Sequence, residues 1–224
     1  DVGQGLSVVI QTATHVLIFD TGVRFPGAFD AGRDVLIPFL EARGIKDIDL
    51  LIVSHGDNDH SGGVAAVEVA MNVKALISSL PQKFKAWGAG FCEAGQSWRW
   101  DGIDFKILSP SPGLPYKGNN SSCVLKISGA SHSALLAGDI QRPAEAYLLA
   151  DHLADLPSTV IVVPHHGSIS SSMEPFVRAV SPGYALFATG FLNRYRFPNP
   201  KVVSLYRQYH AKMYSSARDG AIEL

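Results

Sequence analysis

The chain has 224 residues, 46% of them hydrophobic and 17% charged, with a net charge of −1. That is enough apolar material for a full globular core, in one large domain or two small ones. The near-neutral balance excludes nucleic-acid binding by bulk electrostatics, so any polyanion must be held locally. No apolar run approaches the roughly 18 residues of a membrane span, and there is no signal-peptide pattern. The chain enters a strand pattern without lead-in at Asp1-Val2-Gly3-Gln4-Gly5 and stops inside another at Ala221–Leu224. This reads as one domain, residues 1–224, excised from a longer chain whose other parts carry any targeting or membrane segment.

In chain order, the runs within Gly5–Gln11 and Val16–Phe19 predict a hairpin, with Asp20-Thr21-Gly22 at the end of its second strand. A Gly- and Pro-containing loop spans 23–32. Residues 34–43 predict a helix with Val35, Leu36, Phe39 and Leu40 on one face and Gly44 as its stop. Ile48–Val53 is continuously apolar, the pattern of a strand buried on both faces. A polar loop, a short helix to Met71 and a strand over Val73–Ile77 follow. Residues 79–97 carry no regular pattern. Trp98–Trp100 and Ile103–Ile107 flank Asp101-Gly102, a strong hairpin turn. The proline-rich segment 110–120 predicts a loop. A second hairpin covers Ser122–Ile127 and Ala134–Ala137 and ends in Gly138-Asp139. Then come a helix over 144–153, a strand over Thr159–Val163, the loop Pro164-His165-His166-Gly167-Ser168, a short helix over 173–180, a strand over Tyr184–Ala188, an amphipathic helix over 201–210 and short strands over Lys212–Ser215 and Ala221–Leu224. Hairpins and single helices alternate in both halves. The expected fold class is therefore α/β: two sheets face to face with helices outside, an αββα four-layer sandwich.

The chemistry concentrates in Ser54-His55-Gly56-Asp57-Asn58-Asp59-His60-Ser61-Gly62-Gly63, which places two histidines and two aspartates within six residues at a strand end. Loops of that kind, held by a rigid sheet, are where functional groups gather. Two further strand ends offer Asp139 and the His165-His166 pair. Taken singly, the cluster reads as an Asx turn before a helix, Asp139 as a helix N-cap and the histidine pair as a capped turn. Converging at one sheet edge, they supply six groups for two divalent ions, counting one of the histidine pair, with a carboxylate such as Asp139 suited to bridging. Cys92 and Cys123 stand outside any zinc-ligand spacing. They are either two buried thiols or a disulfide of an oxidising compartment.

His55-x-Asp57-x-Asp59-His60-x-Gly62-Gly63 resembles the metal motif of the metallo-β-lactamase superfamily, usually HxHxDH. Asp20-Thr21-Gly22, Gly138-Asp139 and Pro164-His165-His166-Gly167-Ser168 follow in the order that family shows. The opening Asp1-Val2-Gly3-Gln4-Gly5 and the His-x-Asp-x-Asp-His form look like one branch, the C-terminal soluble domains of the ComEC competence family of DNA-uptake channels. The resemblance implies an αββα hydrolase that degrades one strand of incoming DNA while the other enters the cell. It implies that His55 and Asp57 hold one metal, that Asp59 and His60 hold the other, and that Asp139 bridges them. One of His165 and His166 completes the second ion and its neighbour stands near the phosphate, with His166 favoured as ligand. Asp59 and His165 are the expected catalytic groups. Asp20 supports the cluster from behind, Ser168 contacts a phosphate oxygen, and Asn120 and Ser122 support the site or contact substrate. Asn119-Asn120-Ser121-Ser122 stands where the superfamily often adds a histidine, which leaves the first ion a weaker or water-completed shell.

Asp57 in place of a histidine makes the donor set harder, which favours manganese over zinc. No small organic cofactor is expected. The expected partners are single-stranded DNA and the membrane channel domain of the same polypeptide, with this domain attached to the inner membrane on its outer side. Arg194 and Arg196, within Arg194-Tyr195-Arg196-Phe197, have the composition of a DNA contact, and equally of a solvated loop with core aromatics. Lys83 and Lys85 invite the same two readings, and His15, His152 and His210 read as ordinary surface or interface histidines. Two alternatives to the nuclease reading stand. One is a hydrolase of another phosphoester or small diester, like phosphorylcholine esterases; the other is a non-catalytic module that guides DNA.

Overall fold

Strands β1 (Val8–Gln11) and β2 (Val16–Phe19) form the expected antiparallel hairpin. In this computed structural model, which describes residues 3–224, parallel partners β3 (Leu50–Val53), β4 (Leu76–Ser78) and β5 (Gly90–Phe91) extend it to a five-stranded sheet in the order β1-β2-β3-β4-β5. The second sheet has seven strands in chain order: β6 (Ser97–Trp100), β7 (Ile103–Ser109), β8 (Val124–Ser128), β9 (Ser133–Leu136), β10 (Val160–Val162), β11 (Tyr184–Phe187) and β12 (Lys212–Ser215). β6 to β9 pair antiparallel and β9 to β12 pair parallel. The switch to parallel pairing follows from chemistry, since helices cross over between β9 and β10, β10 and β11, and β11 and β12.

Alternation along the strands sorts the core into three layers. In β2, Val16 and Ile18 face helices α1 (Ile37–Ala42) and α3 (Val64–Ala70), together with Leu36, Leu40, Val64 and Val67. Leu17 and Phe19 face the other way and meet Ile52, Phe105, Ile107, Leu125 and Leu136 between the sheets. The far face of the second sheet packs Leu135, Ile161 and Ala185 against Leu148 of α4 (Arg142–Asp151), Phe176 of α5 (Glu174–Val180) and Tyr206 of α6 (Pro200–Gln208). Helix, sheet, sheet, helix is the expected αββα sandwich. Each fully buried Leu, Ile or Phe contributes about 1.5–3 kcal/mol, so the inter-sheet layer alone is a large share of the driving force.

Details depart from the sequence reading. The first helix opens with a π-helical turn, Gly32–Leu36, before α1. The strand expected over Val73–Ile77 is two short ones, since Asn72–Val73 pairs with Asp47–Ile48 in a separate ribbon. Segment 79–97 contains a 3-10 stretch, Pro81–Trp87, and the edge strand β5. Ala221–Leu224 is not a strand. The sheet ends at β12, and the chain turns into a short helix, Ser216–Asp219, whose Asp219 carboxylate accepts the Ser215 N–H. Among the described residues no helix is long and apolar enough to cross a membrane. The expectations placed on Asp1 and Val2 lie outside the described residues. Cys92 and Cys123 are joined in a disulfide, with Cα atoms 6.1 Å apart.

Candidate metal centre

The site grows from four strand ends. Asp20 ends β2 in a left-handed conformation, φ 62°. Its Oδ1 accepts the Ser54 N–H at 2.6 Å and its Oδ2 accepts the Ser54 hydroxyl at 2.7 Å. The same Oδ2 lies 2.7 Å from His60 Nδ1, with both side chains fully buried. Asp20 therefore fixes the ring of His60 and turns its Nε2 outward. Having donated to Asp20, the Ser54 Oγ is left to accept from His55 Nδ1 at 3.0 Å. That directs the lone pair of His55 Nε2 into the site, where the buried Nε2 has no hydrogen-bond partner among the described residues.

The short helix α2 (Asn58–Ser61) carries Asp59 and His60. Its approach to the sheet depends on Gly63: a Cβ there would stand 2.6 Å from the Thr21 carbonyl oxygen. From the second sheet, Asp139 follows β9, and its backbone N–H donates to Ser122 Oγ at 3.1 Å. His165 and His166 follow β10 in consecutive left-handed conformations, φ 50° and 55°. Each costs an ordinary residue about 1–2 kcal/mol, and strain of this kind persists where surrounding structure holds it. The kink sends adjacent side chains to different places. His166 is buried, with Nδ1 2.7 Å from the Ala188 carbonyl oxygen. His165 is part-exposed, with Nδ1 3.0 Å from Ser170 Oγ and Nε2 3.3 Å from Asn119 Nδ2.

Four groups meet at one point: Asp59, His60, Asp139 and His166, with donor atoms all within 4.8 Å of one another. His60 Nε2 lies 3.2 Å from His166 Nε2 and 3.0 Å from Asp139 Oδ1. His166 Nε2 lies 3.3 Å from Asp59 Oδ2 and 3.5 Å from Asp139 Oδ1. Ligands bound at about 2.1 Å stand about 3.0–3.4 Å apart around one ion, so these separations are the edges of a coordination shell. Two imidazole nitrogens pointed at each other between carboxylates also need a cation or a proton between them. Next to this group, His55 Nε2 is 3.6 Å from Asp57 Oδ2, whose side chain is largely exposed. The residues present fit a metal centre.

The electrostatics are those of a charge-compensated cluster. Burial alone would lower the pKa of His60, but the charges of Asp139 and Asp20 hold it well above the usual histidine range. Burial also works against protonation of His166, and Asp139 overrules it, placing the group at about 9. The same contacts, with His166 first, hold Asp139 well below the usual carboxylate range despite its burial. His165 differs: burial dominates and lowers its pKa.

The remaining expected groups fall around this centre. Asn120 Oδ1 accepts the N–H groups of Gln141 and Ala144, so it caps α4 directly behind Asp139. Ser122 supports the Asp139 backbone. Ser168 Oγ is 3.0 Å from Ser170 Oγ, the partner of His165. Arg194 and Arg196 are exposed on the loop 190–199, which reaches the centre through Phe197, stacked on His166. Three contacts were not expected from sequence. Lys83 Nζ donates to the Gly56 carbonyl and to Ser61 Oγ; Tyr116 OH accepts the Gly56 N–H at 2.8 Å; Asn119 and Gln141 flank His165. Of these, only the Asn119-Asn120-Ser121-Ser122 tract carried a signal, standing where a histidine is usual.

Residues 1–190 match the model of the Metallo-beta-lactamase superfamily. The chain belongs to this superfamily. Among curated relatives it is 37% identical over 223 residues to Competence protein ComA of Neisseria gonorrhoeae, covering 100% of this chain and 31% of the relative. It is 33% identical over 224 residues to Recombination protein 2 of Haemophilus influenzae, covering 100% of this chain and 28% of the relative. The chain thus spans about a third of the length of these relatives. Among solved structures, the metallo-beta-lactamase fold protein YhfI from Bacillus subtilis superposes with a TM-score of 0.58 at 11% identity, covering 95% of this chain and 88% of that one. The superfamily and its fold agree with the His-x-Asp-x-Asp-His resemblance.

Proposed function

We propose that this domain is a metal-dependent nuclease that hydrolyses phosphodiesters of single-stranded DNA during DNA uptake. The observation that carries the reading is the pairing of two donor sets at one rim. Asp59, His60, Asp139 and His166 form one, and the unpartnered His55 Nε2 with Asp57 forms its neighbour. When bound, two divalent ions would polarise the phosphoryl oxygens and lower the pKa of a water held between them. Asp139 turns Oδ1 to His60 and His166 and has Oδ2 left over, which would let it bridge a second ion. Asp59, on the open side, has Oδ2 in the ligand group and leaves Oδ1 to accept a proton from the attacking water or to orient it. His165 faces the rim with Nε2 3.8 Å from Asp139 Oδ2, which places its ring beside the position a substrate phosphate would take. Asp20 orients His60, as outer carboxylates orient metal-bound imidazoles. Ser168 acts through Ser170 and His165.

Asp57 replaces a nitrogen donor by an oxygen donor, and this supports manganese as the preferred ion. Relatives named for competence and recombination support the DNA-uptake setting. The Cys92–Cys123 disulfide supports a location on the outer side of the inner membrane, attached to a channel domain of the same polypeptide.

The test is turnover of labelled single-stranded DNA and of bis(p-nitrophenyl) phosphate by protein reconstituted with manganese, magnesium or zinc, with Asp139→Asn as control. DNA cleavage that needs manganese and Asp139 is the expected result. Turnover of the small diester without DNA cleavage would favour a small-ester hydrolase; DNA binding with no turnover under any ion would mark a guiding module.

A further inference from the structure

We infer that the loop 190–199 is a base-stacking platform that seats an unpaired nucleobase beside the metal centre and thereby selects single-stranded over duplex DNA. The inference rests on the nuclease reading above and adds the device that recognises the strand. Its core is a column of rings running outward from the centre. Phe197 lies nearly parallel to His166, with centroids 6.3 Å apart and planes at 19°. Tyr195 continues the stack on Phe197 at 5.5 Å and 17°. The Arg194 guanidinium sits 4.9 Å from the Tyr195 ring centroid and donates to its hydroxyl at 2.7 Å.

The column ends in solvent: Tyr195 is 50% exposed. Phe191 and Leu192 on the same loop are also exposed. Burying an aromatic or leucine side chain is favourable, so a chain that leaves these three side chains open forgoes that gain.

The platform is also rigidly built. Asn193 ties the loop to itself: its Oδ1 accepts the Phe197 N–H at 2.9 Å, and its Nδ2 donates to the carbonyls of Gly190 and Phe197. The loop is then pinned to the histidine segment. Asn199 N–H donates to the Gly167 carbonyl at 2.9 Å, and a Cβ on Gly167 would lie 2.7 Å from Pro198 Cβ. Phe197 is thereby held in register with His166, and with it the exposed outer end of the column, where the Arg194 guanidinium lies over Tyr195. An aromatic surface continuous with a hydrolytic centre and edged by arginine matches a nucleotide, with a flat apolar base and an anionic backbone. Bases in a duplex have both faces covered by their neighbours and cannot join the column. A free strand can supply one.

The experiment uses manganese-loaded protein, a fluorescein-labelled oligodeoxythymidylate and an oligomer of the same length with abasic sugars throughout. Steady-state cleavage and anisotropy titrations are run for wild type, Tyr195→Ala and Tyr195→Trp. Stacking on an aromatic side chain carries enough affinity that Tyr195→Ala should raise KM and Kd for the thymidylate about tenfold. Its kcat and its turnover of bis(p-nitrophenyl) phosphate should stay unchanged, and Tyr195→Trp should restore both constants. Wild type should bind the abasic oligomer about tenfold more weakly than the thymidylate, with Tyr195→Ala having no further effect on it. Unchanged KM and Kd in Tyr195→Ala, or equal wild-type affinity for the two oligomers, would overturn the platform and leave the nuclease reading standing. The second comparison decides even if the alanine variant folds poorly. Wild type that hydrolyses the small diester but neither binds nor cleaves the thymidylate would overturn both.

Discussion

Asp20 and His60 meet at 2.7 Å, oxygen to ring nitrogen, both out of contact with solvent. The pair joins the end of the first hairpin to the first turn of the metal-loop helix. Asp20→Asn isolates its charge, because asparagine tolerates the left-handed backbone that residue 20 adopts. We expect metal affinity to fall about 10–100-fold, as for other partners of metal-bound histidines. Isothermal titration with manganese checks it, and an affinity equal to wild type would contradict the orienting role.

Asp139 and His166 lie within the tight group itself, so Asp139→Asn or His166→Ala should lose more than the outer-carboxylate variant. The expected loss exceeds about 100-fold in metal affinity, with DNA turnover falling to background. Metal content by mass spectrometry after gel filtration gives the answer. A stoichiometric ion in both variants would move the centre elsewhere.

Asp57 sets the hardness of the neighbouring pair. Asp57→His should raise activity with zinc relative to manganese, since imidazole suits zinc and carboxylate suits manganese. The ratio of turnover with the two ions is the measurement, and a ratio unchanged from wild type would remove Asp57 as the determinant.

Glu145 offers a pH prediction away from the centre. It is fully buried on α4 and accepts the N–H groups of Ser172 and Met173. Burial raises its carboxyl from 4.5 to about 7. An acid with a raised folded-state pKa favours the folded chain when protonated. Its contribution is full below about pH 4.5 and is lost as pH rises through about 7. At 1.36 kcal/mol per pH unit the loss is about 3 kcal/mol at most. Glu145→Gln should flatten stability against pH over that window in urea titrations, and parallel curves would refute the assignment.

The disulfide closes a segment with a sequence separation of 31. In the chain-entropy account this contributes about 3–4 kcal/mol. Replacing both cysteines by serine should lower stability by that order in denaturant titrations, and an unchanged midpoint would show that tight packing, with both cysteines fully buried, does the work instead.

The layers were legible in the sequence because burial follows strand alternation: Val16 and Ile18 take one core, Leu17 and Phe19 the other. The Asp101-Gly102 turn was legible too, since both residues adopt positive φ, as tight hairpins require. The candidate ligands could be found because acidic and imidazole groups crowd three strand ends. Which of two adjacent histidines turns inward could not. That choice rests on the left-handed backbone at His165 and His166, held by contacts from Ala188, Ser170 and Asn199, all distant in sequence or set by the loop's path. Whether Cys92 and Cys123 are bonded was equally closed to sequence, because it depends on the end of β5 lying beside the start of β8. The last residues misled for a simpler reason. Ala221–Leu224 has strand composition, but among the described residues no further strand pairs beyond β12.

The ligand group draws half its members from each sheet: Asp59 and His60 come from the first, Asp139 and His166 from the second. The centre is a seam rather than a pocket, and an ion bound there acts as a rivet between two half-molecules. Neither half by itself holds this group of four. Occupancy by metal would therefore report that the two halves of the chain have closed correctly on each other.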